Sequence, residues 1–171
     1  MIMRNTILLI LIAGAIVLFG TKMIGVDAHP EEGRQAPDLT VARNDSTLKL
    51  SDLRGRYVLV DFWSSADANS RLKSNEYNRL PISSAARLER LSINFDRSEE
   101  LFNEIVNRDH LDPSDQYFAG ETDFDKIIRD YGITQGYNSY LIDPKGKIVA
   151  VNPDNDYISS YMNRRPALTQ K

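Results

Sequence analysis

The chain has 171 residues, of which 42% are hydrophobic and 26% are charged, and its formal net charge is -3 at pH 7. This length accommodates one ordinary domain with additional residues at an end, and the acidic balance argues against nucleic-acid binding through general basicity. The chain contains no cysteine, which excludes disulfides, thiolate metal sites and cysteine nucleophiles. Because His29 and His110 do not form a ligand-spaced pair, we expect no metal and no other cofactor.

The first segment of the chain predicts a membrane helix. Residues 5–21 carry no charge and are mostly apolar, and they are bounded by Arg4 and Lys22. A helix of this length spans about 25 Å, and snorkelling by Lys22 helps it to match a hydrocarbon core of about 30 Å. We therefore expect residues 1–26 to be a retained signal anchor and residues 27–35 to be a polar linker.

Two alternatives to a retained anchor remain open. A cleaved signal peptide would use Arg4 as its charged region and Val-Asp-Ala at residues 26–28 as its cleavage site. The second alternative is a buried core helix of a soluble protein, against which the terminal position and the absence of a polar face argue. Anchor and signal peptide both carry the following residues across a membrane. We expect the globular domain to be extracytoplasmic, and to be released on that side of the membrane if the helix is cleaved.

The first half of the globular region predicts a hairpin, a buried strand and a helix. Residues 39–42 and 47–50 are β-prone runs that flank a turn-rich tetrad. The nearly continuous apolar run at residues 57–63 is typical of a central strand that is covered on both faces. Residue types that cap helices come next, and the helix extends to about Leu80, where Pro81 blocks it.

The second half predicts a strand, two helices, a second hairpin and a terminal helix. Residues 91–95 alternate as a strand, and Ser98 caps a helix with one apolar face. A further amphipathic helix covers about 122–132, and the turn at residues 143–146, Asp-Pro-Lys-Gly, joins two β-prone runs. A short helix is expected at about 156–164. This order predicts an α/β fold with helices on both faces of a central mixed sheet.

Several motifs resemble one protein family in their order along the chain. They are Ala-Pro-Asp-Leu at residues 36–39, Leu-Ser-Asp-Leu-Arg-Gly-Arg at residues 50–56, Val-Leu-Val-Asp-Phe-Trp at residues 58–63, Tyr-Gly-Ile at residues 131–133, and the hairpin at residues 140–149. With these motifs the chain resembles the thioredoxin-like TlpA/ResA family of membrane-anchored thiol-disulfide oxidoreductases. The resemblance implies a thioredoxin-like domain over residues 36–166, followed by a tail at residues 167–171. It also implies that this domain lies in a bacterial periplasm.

The chain departs from this family at the positions that carry its chemistry. The family's Cys-x-x-Cys motif falls on residues 67–70, so that Asp67 stands for the attacking cysteine and Ser70 for the resolving cysteine. The family's cis-proline falls on Tyr137, and its buried proton-shuttling acid corresponds to Asp61. We therefore expect a degenerate member with no catalytic residue, in which these four positions are vestigial. The Gly136–Tyr137 peptide bond is expected to be trans, since a non-proline cis bond costs about 3–4 kcal/mol.

Each of these residues also has a purely structural interpretation. Asp67 fits an N-cap or first-turn acid that stabilises the helix by about 0.5–2 kcal/mol, and it also fits a contact to a partner. No His or Lys is placed by sequence to activate the Ser70 hydroxyl, which argues against a serine nucleophile. Trp63 fits either a core aromatic or an aromatic that lines a groove.

Three functions follow from this pattern. The first is a protein- or peptide-binding module of the cell envelope, in which Trp63, Asp67, Tyr137 and Asn138 line the docking groove and Tyr140 completes an exposed aromatic cluster. The second is an enzyme of another class that uses the carboxylates of Asp61 and Asp67. The third is a component of a thiol-disulfide pathway that acts only with a cysteine-bearing partner. We favour the first, with the membrane and an envelope protein or peptide as partners.

Overall fold

The computed structural model of the protein describes residues 30–43, 46–80, 88–120 and 124–164. Within these ranges, no helix is both long enough and apolar enough to cross a membrane. The predicted anchor over residues 1–26 and the tail over residues 167–171 lie outside the described residues, so both stay predictions.

The described chain first forms a small antiparallel sheet of two strands. Strand β1 (Thr40–Arg43) pairs with β2 (Ser46–Lys49), with Thr40 opposite Lys49. A 3-10 helix follows at Leu50–Leu53. Its start is held by Asp38, whose carboxylate accepts hydrogen bonds from the Ser51 amide at 2.9 Å and from the Ser51 hydroxyl at 3.0 Å. The predicted first hairpin is confirmed.

A mixed sheet of five strands forms the centre of the domain. The strands are β3 (Tyr57–Trp63), β4 (Leu88–Asn94), β5 (Gln116–Phe118), β6 (Ser139–Ile142) and β7 (Ile148–Val151), in the order β5-β4-β3-β6-β7. Strands β3, β4 and β5 are parallel, whereas β6 is antiparallel to both β3 and β7. Every residue of β3 is buried, as its apolar run predicts for a strand with neighbours on both sides and layers on both faces.

Within the described ranges, four helices cover the two faces of this sheet. They are α1 (Ala68–Asn78), α2 (Glu99–Arg108), α3 (Phe124–Tyr131) and α4 (Asn155–Asn163). Because successive side chains of a strand point to opposite faces, the residues of β3 divide between two clusters. Val60 packs in the cluster that contains Ile127 of α3 and the first hairpin, and Leu59 packs in the cluster that contains Tyr77 of α1 and Ile158 of α4. The predicted α/β layering is confirmed.

Some boundaries differ from the sequence prediction. Strand β4 begins at Leu88 rather than at residue 91, because its parallel pairing continues to Tyr57 at the start of β3. Strand β5 was not predicted, since three residues are too few for a periodic signal. A 3-10 helix at Ile133–Gln135 was also missed, and it follows Gly132, whose φ of 63° ends α3 in the left-handed conformation.

Candidate functional site

The two residues at the expected cysteine positions follow the carboxyl end of β3 and bond to each other. Asp67 is the N-cap of α1, and its Oδ1 accepts a hydrogen bond from the Ser70 amide at 2.7 Å. Ser70 is only 6% exposed, and its hydroxyl donates to the Asp67 carbonyl at 3.2 Å and accepts from the Ser64 amide at 3.3 Å. The predicted N-cap is confirmed. The pair caps the start of α1, and no base in the described part of the chain is hydrogen-bonded to Ser70 to activate it.

Asp96, which the sequence analysis did not single out, holds the loop that precedes Asp67. Its Oδ1 accepts hydrogen bonds from the Ser64 hydroxyl at 2.7 Å, the Ser65 amide at 2.8 Å and the Ser65 hydroxyl at 3.0 Å, and its Oδ2 accepts from the Asn94 amide group at 2.9 Å. Burial alone would raise the pKa of Asp96, but these hydrogen bonds together hold it below its ordinary value. Its position directly after β4, at the same edge of the sheet as Asp67, is the signal that would have identified it.

Asp61 is a buried acid in the interior of the sheet. Its side chain is 3% exposed, and its Oδ2 accepts a hydrogen bond from the Ser92 hydroxyl at 2.9 Å. The Ser92 hydroxyl in turn lies 2.9 Å from the Ser74 hydroxyl of α1. Burial raises the pKa of Asp61 to about 7, and the Ser92 and Ser74 hydroxyls and the charge of Arg90 only partly offset it. Asp61 is therefore a buried acid whose side-chain neighbours include the hydroxyl groups of Ser92 and Ser74.

The structure does not join Asp61 and Asp67 into one acid–base site. Among the described residues, Asp61 bonds to Ser92 in the interior, whereas Asp67 bonds to the first turn of its own helix. Substrate would have no access to a carboxylate that is 3% exposed. In the same part of the chain, no group of three or more His, Asp or Glu side chains is arranged to hold a metal ion.

The predicted exposed cluster of Trp63, Tyr137 and Tyr140 is wrong. Trp63 and Tyr140 are both 0% exposed. Trp63 lies on the face of β3 that α2 covers, and its ring packs 6.2 Å from that of Phe102. Trp63 is therefore a core residue, and the packing interpretation holds. Because it cannot contact a partner directly, it does not belong to the candidate binding surface.

Tyr137 and Asn138 remain partly accessible beside the loop of Asp67. The Gly136–Tyr137 peptide bond is trans, as predicted. The Tyr137 ring lies 6.1 Å from that of Phe95, and the Asn138 carbonyl accepts a hydrogen bond from the Phe62 amide at 3.3 Å. Since Phe95 immediately precedes Asp96, one short segment after β4 contacts both the Tyr137 loop and the Ser64–Ser65 turn. Of the four predicted partner-binding residues, Asp67, Tyr137 and Asn138 are thus partly exposed.

Solved structures with this arrangement identify the fold. A thioredoxin-like protein from Parabacteroides distasonis aligns with a TM-score of 0.66 and 26% identity over 79% of this chain and 96% of that one. The thioredoxin domain of a thiol-disulfide oxidoreductase from Bacteroides vulgatus aligns with a TM-score of 0.66 and 26% identity over 78% of this chain and 96% of that one. The chain has the thioredoxin-like fold. At the level of sequence, the thioredoxin-like protein YneN of Bacillus subtilis is 27% identical over 131 residues, which is 76% of this chain and 74% of that protein.

In structure and in this distant sequence match, the chain is similar to thioredoxin-like proteins and to the thioredoxin domain of a thiol-disulfide oxidoreductase. No protein-family model matches it. The thioredoxin-like fold that the motifs predicted is confirmed.

Proposed function

We propose that this thioredoxin-like chain is a degenerate, redox-inactive member of the TlpA/ResA group that binds a protein or peptide of the cell envelope. Residues 1–26 would tether it to the membrane, with the domain on the extracytoplasmic side. One observation carries the proposal: Asp67, which the motifs align with the attacking cysteine, accepts a hydrogen bond at 2.7 Å from the amide of Ser70, which they align with the resolving cysteine. Thiol-disulfide exchange requires attack by a thiolate, and this chain has no cysteine to provide one.

The physical role of the helix start supports a change from chemistry to binding. A helix N-terminus stabilises negative charge, which in an active thioredoxin-like site favours the thiolate. Here the Asp67 carboxylate takes that position and satisfies an amide of α1. The result is a stable helix start beside an accessible Tyr137, and binding of an extended segment does not require the lost thiols.

The carboxylate enzyme is the weaker candidate. The raised pKa of Asp61, about 7, favours it, because catalytic acids and bases are often shifted in this way. The burial of Asp61 argues against an enzymatic role, and so does the hydrogen bond that holds the Asp67 carboxylate at the start of α1. A role beside a cysteine-bearing partner in a thiol-disulfide pathway is compatible with the binding proposal, since it needs only the docking surface.

Crosslinking in intact cells tests the proposed surface. Tyr137→Ala removes an aromatic contact of the kind that often contributes about 2 kcal/mol at an interface centre, equivalent to about a 30-fold loss of affinity. Asp67→Asn removes the charge and keeps a good N-cap residue. Recovery of the crosslinked partner should fall strongly for Tyr137→Ala and measurably for Asp67→Asn, while thermal unfolding changes little.

Tyr157→Ala is the matched control, because Tyr157 is 39% exposed and belongs to α4, on the other face of the sheet from Tyr137. It should leave recovery unchanged. If Tyr137→Ala and Asp67→Asn recover as much partner as the unmodified chain, the interaction lies on another face and this proposal is wrong.

A further inference from the structure

An open cavity of about 870 Å³ lies beyond the carboxyl ends of β4 and β5. It is bordered by Asp96 and Arg97 after β4, by Phe118 and Gly120 at the end of β5, and by the first two turns of α3. Its volume is within the usual range for ligand sites, and the carboxyl edge of parallel strands is where ligands bind in open α/β sheets. The sequence analysis did not predict this cavity.

Two aromatic rings give the cavity a fixed apolar wall. Phe118 packs on Phe102 of α2 with 5.8 Å between ring centroids, and Phe124 packs on Phe95 with 5.3 Å between centroids. Each lining ring is thus supported from behind by a second aromatic ring. A wall of this kind suits an apolar or aromatic group, because little side-chain freedom is lost when the group binds.

The rim of the cavity carries an excess of positive charge. Of the lining cations, Lys126 and Arg129 both pair with Asp130, each at 3.1 Å, so that two cations share one carboxylate. Arg97 is exposed and forms no ion pair or side-chain hydrogen bond with any other residue in the described ranges.

The acids of the rim do not cancel this charge. The Asp96 carboxylate is turned inward onto the Ser64 and Ser65 hydrogen bonds, which leaves Asp125 as the outward acid among the described lining residues. On a chain whose net charge is -3, this rim would attract an anionic group.

We propose that this cavity binds an aromatic side chain flanked by carboxylates in an acidic segment of the partner polypeptide. The inference rests on the proposed binding function and specifies the chemistry of the partner. A peptide fits better than a small acid because aromatic packing connects the wall of the cavity to the groove: Phe95 contacts both Phe124 and Tyr137, at 5.3 Å and 6.1 Å between ring centroids. A segment anchored at Phe118 and Phe124 can therefore extend past Phe95 to Tyr137.

Calorimetric titration of the full chain in detergent micelles tests this proposal with two peptides, acetyl-Glu-Phe-Glu-amide and acetyl-Lys-Phe-Lys-amide. The glutamate peptide should bind at least about tenfold more tightly than the lysine peptide, and added salt should weaken its binding. Arg97→Glu should weaken binding of the glutamate peptide by about tenfold or more. Arg34→Glu is the control, since Arg34 is an exposed cation outside the cavity. Amide chemical shifts of Arg97 and Gly120 should move on binding.

Several results would overturn the proposal. They are absence of binding by the glutamate peptide at millimolar concentration, equal binding of the two peptides, or an Arg97→Glu chain that binds as the Arg34→Glu chain does. If 3-phenylpropionate binds as tightly as the glutamate peptide, the cavity takes a small aromatic acid and the peptide assignment is wrong. None of these results changes the crosslinking expected of the Tyr137→Ala chain. Unchanged recovery of the crosslinked partner by Tyr137→Ala and Asp67→Asn, with intact binding of the glutamate peptide, would instead refute the proposed groove surface alone.

Discussion

The buried carboxyl group of Asp61 makes the stability of the domain depend on pH. Its pKa is raised from 3.8 to about 7 in the folded chain, so the folded state holds this proton more tightly than the unfolded state does. Stability must therefore fall as the pH rises from about 3.8 to about 7 and stay reduced above that range. With 1.36 kcal/mol for each pKa unit, the reduction is at most about 4 kcal/mol.

Asp61→Asn removes this penalty, because the amide is neutral at every pH and keeps an oxygen that can accept the Ser92 hydrogen bond. The free energy of unfolding of the variant should exceed that of the unmodified chain at pH 8, by up to roughly 4 kcal/mol. The difference should shrink steadily as the pH approaches 4. Urea unfolding followed by the fluorescence of Trp63, the one tryptophan of the chain, measures this directly for the globular domain.

Glu104→Gln is the control for this measurement. Glu104 is 66% exposed and its ion pair with Arg108 spans 3.8 Å, so the substitution should change stability by less than about 0.5 kcal/mol at any pH. A variant Asp61→Asn that is equally stable or less stable than the unmodified chain at pH 8, with no trend between pH 4 and pH 8, would refute the argument. It would show that Asp61 is ionised in the folded state without cost.

Three further predictions concern the helix start and the anchor. Asp67→Ala should lower the free energy of unfolding by about 1 kcal/mol in urea unfolding and Asp67→Asn by clearly less; equal losses would show that the bond to the Ser70 amide does not stabilise α1. The double variant Asp67→Cys and Ser70→Cys should form an intramolecular disulfide, seen as a mass loss of two hydrogens, because the first turn of a helix places the pair within bonding reach; free thiols or intermolecular dimers would show that the vestigial motif is misplaced. Carbonate-washed membranes should retain the full chain, whereas a soluble product that begins near His29 would identify a cleaved signal peptide.

Features with a local sequence signal were predictable. The apolar run at residues 57–63 predicted the fully buried β3, because a short and nearly continuous apolar run is typical of a strand that is covered on both faces. The N-cap role of Asp67 followed from residue type and position before a helix. The buried state of Asp61 followed from the family resemblance and from its place within β3.

Features that depend on contacts between segments far apart in the sequence were not predictable. The alternation along β3 places Trp63 on one face, but only the packing of α2 decides that this face is covered there. Strand β5 is a strand because it pairs with β4, and its own three residues carry no strand signal. The cavity depends on Arg97, Phe118 and Phe124, which lie in three separate segments and meet only when β4, β5 and α3 are assembled.

Site-specific photocrosslinking in intact cells tests the central claim most directly. The photoreactive residue p-benzoylphenylalanine replaces Tyr137 in one full-length chain and Tyr157 in another, so that the two chains report on opposite faces of the sheet. The account predicts a discrete adduct from position 137, absent from position 157 and reduced when Arg97→Glu is added. An adduct from position 157 with none from position 137 would contradict it, because the partner would then bind the face formed by α4 rather than the former thioredoxin groove.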